Sequence, residues 1–244
     1  MTIEKEKFET SSLLVTPMPV RLQVEQRLRD SIVAGAFAPG EHLSDRLLCE
    51  TFGTSRSVVR EAIRLMEAEG LVVQVPNRGP FVATLSLTEA EEIYEVRAAL
   101  EAIIGASFVR HSTKAELNVL KAALARFRRE ALGQARRQQL LQLKREFYET
   151  LSLGSRSNYA TRMLRLVLNR TSQLRAISMS APERLPSTLQ EMQAIITAIE
   201  KGEPAAAAKA CRDHVRRAAS VALRELARTC TIGSNDALKS TPSK

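Results

Sequence analysis

From Val20 to Gly70 the apolar residues recur every three or four positions. From Leu71 to Ala83 they fall in two short β-rich runs, and past Ala90 the three-to-four period returns. That order predicts helices, a hairpin, then helices again. The first helix, Val20–Ala34, carries Leu22, Val24, Leu28, Ile32 and Val33 and closes at Gly35. The next, Asp45–Phe52, starts from a Ser44 cap, turns Leu47, Leu48 and Phe52 inward and stops at Gly53. A third, capped by Ser55, clusters Val59, Ala62, Ile63 and Met66 on one side. The runs Leu71-Val72-Val73-Gln74-Val75 and Phe81-Val82-Ala83 flank Pro76-Asn77-Arg78-Gly79-Pro80, a turn-forming cluster. Helix, tight turn, helix and hairpin together predict a winged helix-turn-helix over residues 20–85.

Downstream, Thr88 with Glu91 reads as a capping box, and Thr113 with Glu116 as a second one. About six helices are expected, over 88–111, 114–132, 136–153, 158–180, 186–201 and 204–227, separated at Gly133, Gly154-Ser155, Pro182 to Pro186 and Gly202-Glu203-Pro204. Each has one apolar stripe, as in Leu189, Met192, Ile195, Ile196 and Ile199, and no heptad persists between the breaks. The fold class is therefore mainly α: a winged head with a small hairpin and an all-helical bundle over 86–230. Residues 1–19 lack periodicity and read as a loose arm, and 231–244 as a disordered tail.

At 244 residues, 44% of them hydrophobic, the chain is long enough for two cores. It has no apolar run of about 18 residues and no signal-peptide pattern at its start, so a cytoplasmic protein without a membrane span is expected. Cys49, Cys211 and Cys230 are too few and too scattered for a cysteine-built zinc site. The net charge of +9 suggests a polyanionic partner, but its distribution changes that reading. Residues 20–85 hold eight basic and eight acidic side chains, whereas 86–244 hold 26 basic and 16 acidic. If the head binds nucleic acid, placement of charge does it, not bulk charge.

Placement is visible on the third helix, where Arg56, Arg60 and Arg64 form an i, i+4, i+8 row away from the apolar cluster. Spacing alone leaves two readings open, a solvated face with i, i+4 ion pairs or a surface for DNA. The residue string narrows the choice. Leu28-Arg29-Asp30-Ser31-Ile32-Val33-Ala34-Gly35, Pro39-Gly40-Glu41, Thr54-Ser55-Arg56-Ser57-Val58-Val59-Arg60-Glu61-Ala62, Glu67-Ala68-Glu69-Gly70-Leu71-Val72, Arg78-Gly79 and Phe81-Val82-Ala83 resemble the winged helix-turn-helix of GntR-type transcriptional regulators over residues 20–84. The resemblance implies that Arg46, Arg56 and Arg60 touch an operator, with Arg78 or its neighbours Asn77 and Gly79 reaching the minor groove. Ser55 and Ser57 belong to the same helix start, and Arg64 is added from helical geometry alone.

The bundle is similar to the FCD effector domain of the FadR-like branch of that family. The likeness rests on Tyr94-Glu95-Val96-Arg97-Ala98-Ala99-Leu100-Glu101, Phe147 with Leu151, Ser157-Asn158, and Ala198-Ile199-Glu200-Lys201-Gly202 followed by Ala207 and His214. Many members hold a divalent metal through an Asp, a His four residues on, and two later histidines. Here Lys144, Tyr148 and Met192 stand at the first three positions and only His214 matches, so no metal and no cofactor is expected. Lys144, Tyr148, Met192, His214 and Arg97 could instead form a pocket for an anionic or carboxylate-bearing metabolite. Each could equally be an ordinary residue: Lys144 solvated, Tyr148 and Met192 in the core, His214 beside Cys211 and Ala218.

No nucleophile and base pair, phosphate loop, metal cluster or paired carboxylates mark an enzyme. The expectation is a ligand-responsive regulator, a repressor by preference, whose two heads bind a short palindromic double-stranded DNA operator as a homodimer. A metal-dependent version of the bundle, or a helical adaptor carrying a DNA-binding head, are the alternatives.

Overall fold

The computed structural model describes residues 19–133, 135–171, 174 and 184–239, with the side chains of 137, 138 and 229–239 left aside. The head contains α1 (Val20–Ala34), α2 (Asp45–Phe52), α3 (Arg56–Ala68), β1 (Val72–Val75) and β2 (Gly79–Val82). One core joins them: Val24, Leu28 and Ile32 of α1, Leu43, Leu48 of α2, Val59, Ala62, Ile63 and Met66 of α3, and Leu71, Val72 and Val82 of the hairpin. The α3 stripe is buried as its period requires. Two expected core positions are not. Leu22 is 41% exposed and Leu47 45% exposed, because the inward rows are Val24/Leu28/Ile32 and Leu48 with half-buried Phe52, and a residue one or two places off such a row points about 100–200° away from it.

The hairpin is antiparallel, with Val72 opposite Val82 and Val75 opposite Gly79. Its turn is Val75-Pro76-Asn77-Arg78, closed by the Arg78 N–H donating to the Val75 carbonyl at 3.0 Å. Pro76 fixes the first central residue, and Asn77, at φ 61°, supplies the left-handed second one, a type II arrangement. Residues 40–43 run along the outer edge of β2. Gly40 N–H donates to Val82, Val82 N–H to Glu41 and Leu43 N–H to Pro80. Pro80 lacks a donor of its own yet is accommodated, since only its carbonyl is used on that edge.

The bundle holds α4 (Leu87–His111), α5 (Lys114–Leu132), α6 (Arg137–Gly154), α7 (Asn158–Arg170), α8 (Arg184–Glu200) and α9 (Pro204–Lys239). Helix α4 is central, running along α9 and touching α6, α7 and α8, while α5 lies on α6 and α8. At the α4–α9 crossing a Cβ on Gly105 would stand 2.6 Å from Cys211 Sγ and 3.1 Å from the Ala207 carbonyl oxygen, so glycine permits the approach. The main core gathers Ile104, Phe108, Leu120, Phe127, Phe147, Leu151, Met192, Ile195 and Cys211 among others. A second, smaller one joins Ala90, Tyr94 and Ala98 of α4 to Val215, Ala219 and Ala222 of α9.

Thr113 and Glu116 form the capping box expected of them, but the first box is made by Ser86 and Glu89, not Thr88 and Glu91. The chain is already helical at Leu87, so the residue whose hydroxyl faces the free N–H groups is Ser86. Ser44 and Ser55 occupy N-cap positions without making the side-chain cap bond. The last helix runs to Lys239, past the Ala227 end, so 231–239 of the expected tail is helical. A lone Gly233 weakens a helix without ending it, and Pro242 is the first breaker beyond. Residues 1–18 of the expected arm, 240–244 of the tail, and all of 171–180 save Thr171 and Leu174 in the expected fourth bundle helix lie outside the described residues.

Candidate functional site

Two surfaces carry the chemistry. The first is the free face of α3. Arg56, Arg60 and Arg64 are all exposed, and the Ser55 and Ser57 hydroxyls hydrogen-bond each other at 2.9 Å at the helix start. Arg60 Nε donates to Asp45 Oδ2 at 2.9 Å, tying α3 to the first turn of α2 and holding that guanidinium in place. Arg46, on α2, lies 4.0 Å from Glu50. Arg56 and Arg64 make no ion pair with a described residue, so their charge is available to an outside anion. At the wing tip Asn77 and Arg78 are exposed, and the Arg78 guanidinium lies over the Phe81 ring at 5.1 Å. The other neighbour of Phe81 is His42, ring to ring at 4.9 Å, and a Cβ on Gly79 would come within 3.2 Å of His42 Nε2. Sequence reading passed over His42 and Asp45, the two residues that stiffen this surface, because neither stands in a periodic stripe.

The second surface begins inside the bundle. Lys144 is only 4% exposed, so it is not a solvated lysine. Tyr148, one turn on, stacks against His214 with ring centroids 5.4 Å apart. The His214 Nδ1–H donates to Glu191 Oε2 at 2.6 Å, and the Arg184 guanidinium forks onto the same carboxylate at 2.7 and 2.8 Å. Burial would raise the Glu191 carboxyl, but the bonds from His214 and Arg184 outweigh it and bring it down to about 2. Burial first, then the charge of Lys144, pull His214 down to about 3 despite Glu191, so the ring is neutral and its Nε2 is left as an acceptor. These groups do not suit a divalent cation: the carboxylate bonded to the imidazole is already held by Arg184, and the charge of Lys144 acts on the ring. Among the described residues no three His, Cys, Asp or Glu side chains stand close enough to hold an ion. Met192 is fully buried in the main core with Ile195 and Ile196.

Open space lies between the bundle and the head, in a cleft of about 590 Å³. Arg97 and Tyr148, of the expected effector residues, reach its wall, as do Glu101 and Thr161, while Arg29 and Asp30 of α1 form the opposite side. Lys144, Met192 and His214 do not line it. Arg97 is buried and pairs through Nε with Glu101 Oε1 at 2.7 Å. Burial opposes its charge, and Glu101 more than offsets the loss. Burial pushes the Tyr148 hydroxyl well above its ordinary value, so it stays a neutral donor. Beside the cleft the head is fastened to the bundle where Asn169 of α7 donates to Glu69 at 3.0 Å and Arg170 donates to the Gly70 carbonyl, and within the head Arg29 forks onto the same Glu69 with both contacts at 2.7 Å. Glu101, Thr161, Glu191 and Arg29 were not among the site residues expected from sequence, although Arg29 and Glu101 stand in the strings that carry the resemblances. A signal existed for Glu101, which continues the buried row Tyr94, Arg97, Ile104, Phe108 at three- and four-residue steps.

A winged helix-turn-helix with an exposed arginine row, joined to a helical bundle, defines the class of two-domain DNA-binding regulators. Residues 20–82 match the bacterial regulatory proteins of the gntR family, and residues 92–217 match the FCD domain. The chain belongs to the GntR family and carries an FCD domain; it is a transcriptional regulator and not an enzyme. It is 27% identical over 191 residues to YdhC, an HTH-type transcriptional regulator of Bacillus subtilis, across 78% of this chain and 85% of that one. It is 25% identical over 219 residues to the HTH-type transcriptional repressor RspR of Escherichia coli, across 88% and 91%. E. coli McbR/YncC, at 19% identity, has the same fold, with a TM-score of 0.76 over 86% of this chain and all of the other. No helix among the described residues is long and apolar enough to cross a membrane.

Proposed function

We propose that the chain is a dimeric repressor whose grip on a short palindromic operator is altered by a small carboxylate-bearing metabolite. The observation that carries the reading is the α3 face, where Arg56 and Arg64 are exposed without a described ion-pair partner and Arg60 is steadied by Asp45. Arg56, Arg60 and Arg46, with Ser55 and Ser57, then meet base edges and phosphates, Arg64 a flanking phosphate, and Asn77, Arg78 and Gly79 the adjacent minor groove. The repressor sense follows the name of RspR. A single head buries little DNA, so a two-fold pair is the physical requirement for specificity. The bundle supplies it: α7 presents Tyr159, Met163 and Leu166 to solvent at i, i+4, i+7, and neighbouring α4 presents Val96 and Ile103. The effector meets Arg97 and Tyr148 in the cleft and feels the buried charge of Lys144, while His214, stacked on the Tyr148 ring, and Met192 lie in the bundle interior away from the cleft, with no metal or other cofactor taking part.

The test is a salt-dependent gel shift on DNA from the chain's own promoter region, with and without a metabolite mixture. Binding should fall steeply as salt rises, and Lys144→Ala should abolish the response to the mixture while sparing DNA binding in its absence. A response that survives in Lys144→Ala removes the charged-pocket reading.

A further inference from the structure

The cleft between head and bundle presents unsatisfied groups of both signs. The Arg97–Glu101 pair uses one atom of each partner, leaving Arg97 Nη1 and Glu101 Oε2 buried without a hydrogen bond. Tyr148 Oη and Thr161 Oγ1, of side chains that line the same cleft, are also buried and unpartnered. Buried polar atoms are ordinarily satisfied, so four on side chains that line one cleft mark a place where a bound molecule completes the bonding. Their kinds specify it. A guanidinium N–H seeks an anionic oxygen, a carboxylate oxygen accepts only from a donor, and two hydroxyls serve either.

We infer that the cleft binds a small zwitterion, a molecule carrying a carboxylate and an ammonium group close together, as a free amino acid does. The inference rests on the effector reading above and adds the second charge to it. The carboxylate lies on Arg97 Nη1 with the Tyr148 hydroxyl donating to it, and the ammonium donates to Glu101 Oε2 and Thr161 Oγ1. The surrounding wall is balanced, with Arg29, Arg97, Arg145 and Arg165 set against Asp30, Glu69, Glu101 and Glu149. A simple dianion would meet as many carboxylates as guanidiniums, whereas a molecule with both charges meets each in kind. The space, about 590 Å³, exceeds what the charged end of an amino acid needs and leaves room for its side chain beside Leu164 and Leu168.

The experiment is calorimetric titration of the full chain with the common free amino acids, each beside its deaminated acid and its decarboxylated amine. One amino acid should bind at least about tenfold more tightly than both of its truncated forms, a difference expected when a charge-assisted bond is lost. Glu101→Gln keeps the bond from Arg97 Nε but removes the negative charge, and should weaken the amino acid by a similar factor while leaving the deaminated acid unchanged. Thr161→Val and Asp30→Asn, which do not disturb the buried ion pair, guard against a folding defect in the first variant: Thr161→Val should weaken the amino acid several-fold and Asp30→Asn less. A deaminated acid that binds as tightly as its amino acid overturns the zwitterion and leaves the carboxylate effector standing. An amine that binds as tightly, or no binding from any of the three sets, overturns both.

Discussion

At the scale of single residues, the three arginines of α3 are unequal although they share a row. Arg60 is pre-positioned by Asp45 and loses little side-chain freedom when it meets DNA, whereas Arg56 must be ordered on binding. Arg56→Ala and Arg60→Ala should each cost about 1–3 kcal/mol of specific binding, read as the shift in gel-shift midpoint, and two unchanged midpoints would discard the assignment. The buried histidine gives a second outcome. Folded His214 refuses a proton until about pH 3, while the unfolded ring takes one near 6.5, so the unfolded state binds more protons in that window and stability falls as pH falls through it. The Glu191 carboxyl, held at about 2 against an ordinary 4.5, adds the same trend lower down. The urea midpoint should therefore rise between about pH 5 and 6.5, and His214→Gln should flatten that rise; parallel slopes in the two proteins would contradict it.

Among the elements, α1 and α7 matter for what they connect. Arg29 on α1 and Asn169 on α7 meet at Glu69, just after α3, so the reading helix is tied to the bundle beside the cleft. The Arg29–Glu69 fork is partly buried and bidentate, which places it above an ordinary surface pair. Arg29→Ala should lower thermal stability modestly, by about 1 kcal/mol, and should also reduce the difference in DNA affinity between effector-bound and free protein. A variant with a full effector response would show that the coupling runs elsewhere. At the α4–α9 crossing Gly105→Ala drives a methyl group into Cys211 Sγ and the Ala207 carbonyl, which should cost about 1–3 kcal/mol by denaturant melt, as overpacked contacts do. These joints could not be read in advance. Arg29 and Asn169 are 140 residues apart in the chain and neither breaks the pattern of its own helix.

For the whole molecule, the head closes one core and leaves Val20, Leu22, Leu47 and Val73 exposed, spread over α1, α2 and β1, while α4 and α7, packed side by side, leave Val96, Ile103, Tyr159, Met163 and Leu166 in solvent. Residues 86–244 alone should sediment as a dimer and residues 1–85 as a monomer that binds operator weakly; a monomeric bundle would refute the arrangement. In the full chain Met163→Glu should dissociate the dimer and lower operator affinity together.

Much of this protein was already determined by sequence alone. The helix and hairpin order, the α3 stripe with arginines opposite it, the Pro76-Asn77 turn and the Thr113–Glu116 cap follow from local rules, since periodicity, caps and turn residues act over a few positions. Where locality was the whole argument, small offsets still decided outcomes: Leu22 and Leu47 turned outward, and Ser86 displaced Thr88 as the cap. Tertiary structure alone decided that Lys144 is buried, that His214 answers to Glu191 and Arg184, and that the open space lies between head and bundle with Glu101 and Thr161 on its wall. A cavity is bounded by residues from several helices at once, and whether a polar atom ends paired or orphaned depends on which distant side chain arrives beside it.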